Sequence, residues 1–107
     1  MTAERIRELN DAFRTTFAVG RVLITQGVKG RGEAFVEAAC QAVKAFDAFT
    51  PENDPHGEHD FGSLTVEGQK LYFKIDYYDA AMAFGSEDPT DPEQTTRVLT
   101  ILLPEEY

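Results

Sequence analysis

SLTVEGQKLYFKIDYY, residues 63–78, is the stretch whose reading decides the fold. Leu64 and Val66 alternate, Glu67-Gly68 supplies a turn, and Leu71, Phe73, Ile75 and Tyr77 alternate on the return. Alternation with period two on both sides of a Gly-containing dipeptide predicts a β-hairpin with one apolar face. The opposite face carries Tyr72, Lys74, Asp76 and Tyr78. A hairpin with one apolar face needs something to cover it, so the flanking sequence decides the architecture.

Upstream, Ile6, Leu9, Phe13 and Phe17 recur at three- and four-residue spacing, with Glu4 in the first turn and Thr2 as a capping residue. This predicts an amphipathic helix over about residues 3–17. In VGRVLITQGV, the run Val22–Thr25 lies between glycines and predicts a short strand. Phe35, Ala38, Ala39, Ala42, Val43 and Phe46 form one stripe of a second helix, about 32–47. Downstream, RVLTILL, residues 97–103, is a strand with Leu99, Ile101 and Leu103 on one side and Arg97 in phase with them. The order α-β-α-β-β-β predicts an α+β fold, with two helices packed on one face of a mainly antiparallel sheet of about four strands. The 107 residues make one domain, 1–107, with a folded surface of roughly 6,000 Å².

Cys40 is the only cysteine, so no internal disulfide and no paired-cysteine zinc site can form. It falls in a helical pattern and reads as a small hydrophobe. MTAERIRELN has no apolar core of a signal peptide, and no apolar run reaches the length of a membrane span. A soluble cytoplasmic protein with no membrane contact is therefore expected. GVKGRGE, between strand and helix, evokes a phosphate cradle, but Gly27, Gly30 and Gly32 fit neither GxGxxG nor GxxxxGK[ST]. A plain connection is the expectation there.

The net charge of −9 is unevenly spread. Residues 1–46 hold seven Lys/Arg and five Asp/Glu, a net of +2, and residues 47–107 hold three and fourteen, a net of −11. No basic residue lies between Lys44 and Lys70, or between Lys74 and Arg97. Such a surface repels phosphates, which argues against direct nucleic-acid contact, and attracts a basic protein partner.

The most polar stretch is ENDPHGEHDFG, residues 52–62, and three readings of it stay open. His56, Glu58, His59 and Asp60, with Glu52 and Asp54 nearby and Asp76 on the adjacent strand, have the residue types of a metal site. His59 paired with Asp60 or Asp76 has those of an acid–base pair, although Ser63, Thr65 and Thr100 sit in no nucleophile motif. The favoured reading is structural. Asn53 and Asp54 before Pro55 suit side-chain-to-backbone turns, Phe61 plugs the core and Gly62 permits a bend. Arg97 then needs a carboxylate, with Asp60 or Asp76 expected as its partner. No metal or other cofactor is assigned.

NDPHGEHDFG, KIDYYD and GSEDPTDPEQTTRVLTILLPEEY together resemble a family of small bacterial proteins, domain of unknown function 3768. The resemblance runs from about Asn10 to Tyr107. Its first motif matches Asn53, Asp54, Pro55, Glu58, His59, Asp60, Phe61 and Gly62. The second matches Lys74, Ile75, Asp76, Tyr77, Tyr78 and Asp79, and the third Ser86, Glu87, Asp88, Pro89 and Arg97. The position of His56 is often tyrosine in the family pattern, which leaves His59 as the histidine of interest. The resemblance implies a proteobacterial family often carried on plasmids and other mobile elements, and it supplies no activity.

Two functions are therefore expected in competition. The first is a non-enzymatic binding module whose acidic face, built by 47–62 and 76–93, docks on a basic protein and competes with nucleic acid for it. Its candidate binding residues are Asn53, Asp54, Glu58, His59, Asp60, Asp76, Tyr78, Glu87, Asp88 and Arg97. The second is a small enzyme or metal-binding protein centred on His59, Asp60, Asp76 and Arg97. The sequence allows a monomer or a homodimer formed along a free sheet edge left by the hairpin and the last strand.

Overall fold

The computed structural model describes residues 2–107. Its elements are α1 (Thr2–Thr16), β1 (Arg21–Ile24), α2 (Gln26–Lys29), α3 (Glu33–Ala45), β2 (Phe61–Val66), β3 (Gln69–Tyr78), β4 (Thr96–Leu102) and a closing 3-10 turn, Pro104–Glu106. The α+β architecture is as the sequence predicts, with one short extra helix, α2. The sheet order is β1-β4-β3-β2, antiparallel at β2–β3 and β3–β4 and parallel at β1–β4. The last strand is therefore internal, and the two edges are β1 and β2.

The hairpin forms because its turn can be made. Glu67 and Gly68 both take positive φ, 50° and 82°, which matches the twist of the strands they join. Register then fixes the faces. Gly62 opposes Phe73, Leu64 opposes Leu71, Ile75 opposes Leu99 and Tyr77 opposes Arg97. Leu71, Phe73, Ile75, Leu99 and Ile101 are buried, and Val28, Phe35, Ala39 and Val43 close over them. Each large side chain removed from water here contributes about 1.5–3 kcal/mol.

The buried side of α1 is not the stripe the sequence suggests. Ile6, Asn10, Phe13 and Arg14 are buried, while Leu9 is half-buried and Phe17 packs at the core's margin. Half of that buried stripe is polar, so α1 docks by hydrogen bonds as well as by apolar contact. Phe17 (φ 60°) ends the helix in the left-handed region, its N–H donating to the Phe13 carbonyl.

Arg14 shows how α1 meets α3. Its Nη1 donates to the carbonyls of Val43 (3.0 Å) and Phe46 (2.7 Å) at the C-terminal end of α3. A cation there satisfies carbonyls that have no partner within the helix and complements the negative end of its dipole. Arg14 Nε is buried without a hydrogen-bond partner among the described residues. The guanidinium also lies over the rings of Phe49 and Phe73.

Candidate functional site

The polar loop of residues 47–60 folds back onto α1. Asn53 pins its start: the Oδ1 accepts from the Thr50 N–H (2.9 Å) and the Nδ2 donates to the Ala48 carbonyl (3.1 Å). Asp54 accepts from the His59 N–H, and His59 sits at positive φ (56°), so this carboxylate holds a bend that a non-glycine residue adopts at a cost. Arg7 Nη1 donates to the Gly57 carbonyl (3.0 Å).

His59 is gripped on several sides. Its Nδ1 donates to Asp11 Oδ1 (2.9 Å), its Nε2 lies 3.5 Å from Asp54 Oδ2, and its ring stacks flat on Phe49 at 3.8 Å. Asp11 in turn accepts from Arg14 Nη2 (3.1 Å). The partners expected for His59, Asp60 and Asp76, are replaced by Asp11 and Asp54. Arg14, Asp11, His59 and Asp54 thus form one chain of alternating charge and imidazole, running from the end of α3 into the loop.

Arg97 belongs to a second network, and among the described residues it has no carboxylate partner. Its Nε donates to Asn10 Oδ1 (2.7 Å) and its Nη2 donates to the Pro89 carbonyl. Asn10 Nδ2 donates to the Glu58 carbonyl (2.9 Å) and to the Tyr77 hydroxyl oxygen (2.8 Å), and the Tyr77 hydroxyl donates to Glu58 Oε1 (2.9 Å). Burial pushes the Tyr77 hydroxyl far above its ordinary value, so it stays a donor. Burial also lowers the Arg97 guanidinium somewhat. The fully buried Asn10 amide thereby fastens the 47–60 loop, β3 and, through Arg97, the 79–95 loop to one point on α1.

The expected pairing of Arg97 with Asp60 or Asp76 does not form. Register puts Arg97 opposite Tyr77, on the helix side of the sheet, and Asp76 opposite Val98, on the other side. There Asp76 pairs with Lys74 Nζ (2.8 Å) and raises that lysine's pKa. Asp60 is half-buried, and burial, then the nearby Glu58, raises its carboxyl. Tyr78 shares the outer face with Asp76 and opposes Thr96. Ser63, Thr65 and Thr100 lie on that same outer face, away from His59. His59, Asp60, Asp76 and Arg97 therefore do not converge on one pocket. Among the described residues no group of three or more His, Cys, Asp or Glu side chains is arranged to hold a metal ion, and His56 is exposed on the loop surface.

The glycine-rich turn has its own anion. Glu106 accepts from the Gly27 N–H (2.9 Å), the Thr25 hydroxyl (2.6 Å) and the Leu103 N–H (2.8 Å), and these bonds hold its carboxyl below the usual range. A Cβ on Gly27 would stand 2.7 Å from Glu106 and from Leu103. The glycine is there to admit a carboxylate of the same chain.

Carboxylates exposed to solvent are spread over the molecule, from Glu4 and Glu8 on α1 and Glu33 and Glu37 on α3 to Glu67 and Glu105, and two of them, Glu87 and Glu93, stand on the 79–94 loop. Asp79, Ala80, Glu87, Glu93 and Gln94 line a shallow depression of about 300 Å³. Asp88 and Asp91 spend their carboxylates on local turns, Asp88 on Thr90 and Asp91 on Glu93 and Gln94, whose bonds lower the Asp91 carboxyl. Glu87 and Glu93 are exposed and make no side-chain hydrogen bond among the described residues. Phe84, three-quarters exposed, stands on the same loop.

A family model described as "Protein of unknown function (DUF3768)" matches residues 24–106. The chain belongs to this family. The match starts after α1, although α1 supplies Arg7, Asn10, Asp11 and Arg14, the partners of the loop that carries the family's first motif. No curated protein and no solved structure matches the chain. Among the described residues no helix is long and apolar enough to cross a membrane. Sequence reasoning named His59, Glu58 and Arg97 but missed Asn10, Asp11 and Arg14. The one signal for them was a polar pair, Asn10 and Arg14, spaced four apart beside Phe13 on an otherwise apolar helical stripe.

Proposed function

We propose that this DUF3768 protein is a non-enzymatic binding module that docks on a basic partner protein through its 79–94 loop. The observation that supports the reading is the placement of Glu87, Glu93 and Asp79 around one depression, on a segment with no lysine or arginine between Lys74 and Arg97. A cationic side chain entering that depression meets several carboxylates and no competing cation, and Phe84 beside it offers an apolar contact. The acidic face is smaller than the sequence suggests, because Asp54, Glu58 and Asp76 are committed to internal bonds. Where the partner is a nucleic-acid-binding protein, these carboxylates stand in for phosphates and compete with its nucleic acid. The site of action is the cytoplasm, with the protein a monomer or a homodimer joined along β1 or β2.

The test is capture of a basic partner at low and high salt, repeated with Glu87→Gln/Glu93→Gln. Binding that weakens with salt and falls at least about tenfold in the double variant supports docking by this loop. Binding that ignores both salt and the substitutions removes it. A second reading, acid–base chemistry, rests on His59 alone, held by Asp11 and Asp54 with part of its ring open to solvent. Turnover abolished by His59→Gln with the fold retained would favour it.

A further inference from the structure

A groove of about 360 Å³ runs between the second half of α1, the turn that follows it and the 89–95 loop. Leu9, Ala12, Phe13, Val19 and Pro92 give it apolar walls, and Arg97 borders it. It shares no lining residue with the acidic depression, although both border the 92–95 turn. Three features of it need explaining together. Arg97 is 5% exposed, yet no carboxylate among the described residues forms an ion pair with it. Its Nε and Nη2 are used by Asn10 and Pro89, while its Nη1 makes no hydrogen bond among the described residues. The ring of Tyr77, 5.2 Å from the guanidinium carbon, adds a further neutral support. Glu58 acts on the guanidinium from beyond the Tyr77 hydroxyl, and Nη1, which is not fully enclosed, is the corner left for an anion. The groove's lip is strained and apolar as well. Val19, a β-branched residue, sits at φ 61° with 90% of its surface exposed, a conformation that tends to persist where it serves a site.

We propose that this groove binds a small monocarboxylate with an apolar body, its carboxylate on Arg97 Nη1 and its chain along Leu9, Phe13 and Val19. The charge fixes the head group and the apolar walls fix the tail. A bare inorganic anion would satisfy Arg97 but leave the walls wet, and a neutral hydrocarbon would do the reverse. The groove's size suits a short fatty or aryl-alkyl acid rather than a long-chain lipid.

Octanoate is the probe, with octanamide and acetate as its two truncations, read by calorimetry and by backbone amide shifts. Octanoate is expected to shift amides of residues 9–20 and 89–97, and to bind at least about tenfold more tightly than either truncation. Ala12→Phe places a ring in the groove from an exposed helix position and leaves Arg97 and its partners intact. It is expected to weaken octanoate at least about tenfold with the thermal midpoint little changed. Equal binding of octanoate and octanamide would overturn the role of Arg97. Octanoate binding undiminished in Ala12→Phe, shifts confined to other parts of the molecule, or no response to millimolar octanoate would overturn the site.

Discussion

Asn10→Ala is the sharpest test of how this fold is held. Asn10 is fully buried and makes three hydrogen bonds, to the Glu58 carbonyl, the Tyr77 hydroxyl and Arg97 Nε. Two neutral bonds contribute about 1 kcal/mol each, and one to a guanidinium about 1.5–3 kcal/mol. The truncation also leaves the Arg97 Nε without its acceptor in a place water barely reaches. The loss expected is about 3–5 kcal/mol, a large share of the about 5–15 kcal/mol that holds a domain together. With an unfolding entropy of about 2.1 cal/mol/K per residue, this lowers the midpoint by about 13–22 °C. Urea titration followed by circular dichroism measures it, and an unchanged m-value shows that the two end states have kept their exposed areas. In a double-mutant cycle, Asn10→Ala and Tyr77→Phe should couple, because they share a bond. A loss under about 1 kcal/mol for Asn10→Ala, or strict additivity with Tyr77→Phe, would refute the idea that this amide joins the loops to α1.

Three further outcomes follow from the same geometry. Asp60→Asn should stabilise the protein at neutral pH. Burial raises the folded-state pKa above the ordinary aspartate value of 3.8, so the penalty for ionising Asp60 is complete above the folded pKa. The gain over wild type should therefore shrink as pH falls and vanish below about 3.8, as urea midpoints against pH would show. Glu106→Gln should do the opposite: the carboxyl is depressed by its bonds to Thr25 and Leu103, so its contribution is present above 4.5 and is lost as pH falls through the lower folded value. The variant should be less stable than wild type at pH 7 and converge with it in acid. Gly62→Ala should cost about 3 kcal/mol or more, because a Cβ there would run into the Phe73 ring, and thermal unfolding is the check.

The parts of the fold written in local periodicity were legible. The hairpin declared itself through alternation and its Glu67-Gly68 turn, and α1 and α3 through their apolar spacing. The strand order was not, because nothing local to β4 says that it runs parallel to β1 and lies between β1 and β3. Burial of Arg97 followed from its phase with Leu99 and Ile101. Its partner did not, since Asn10 lies 87 residues away. The pairing with Asp76 was nevertheless excludable from sequence, because hairpin alternation puts Asp76 on the face opposite Ile75 and Tyr77. For the polar loop, local turn chemistry identified Asn53 and Asp54, while Asp11, 48 residues from His59, carries no mark in the loop itself. The glycine-rich turn misleads for the same reason: the carboxylate it admits is 79 residues further on.

The position of β4 has a consequence for the order of events at the ribosome. It is synthesised after the other three strands, yet it is the one that joins β1 to the hairpin. Until residues 96–102 emerge, β1 has no strand to pair with, and β3 presents an open edge on its inner side. Between completion of the hairpin at Tyr78 and emergence of β4, the nascent chain therefore carries an unpaired apolar hairpin, a state prone to pairing with other chains. Any message cut short before the codon for Thr96 yields a product that cannot close its sheet, and such fragments should be cleared by proteolysis or found in aggregates rather than as a smaller folded protein.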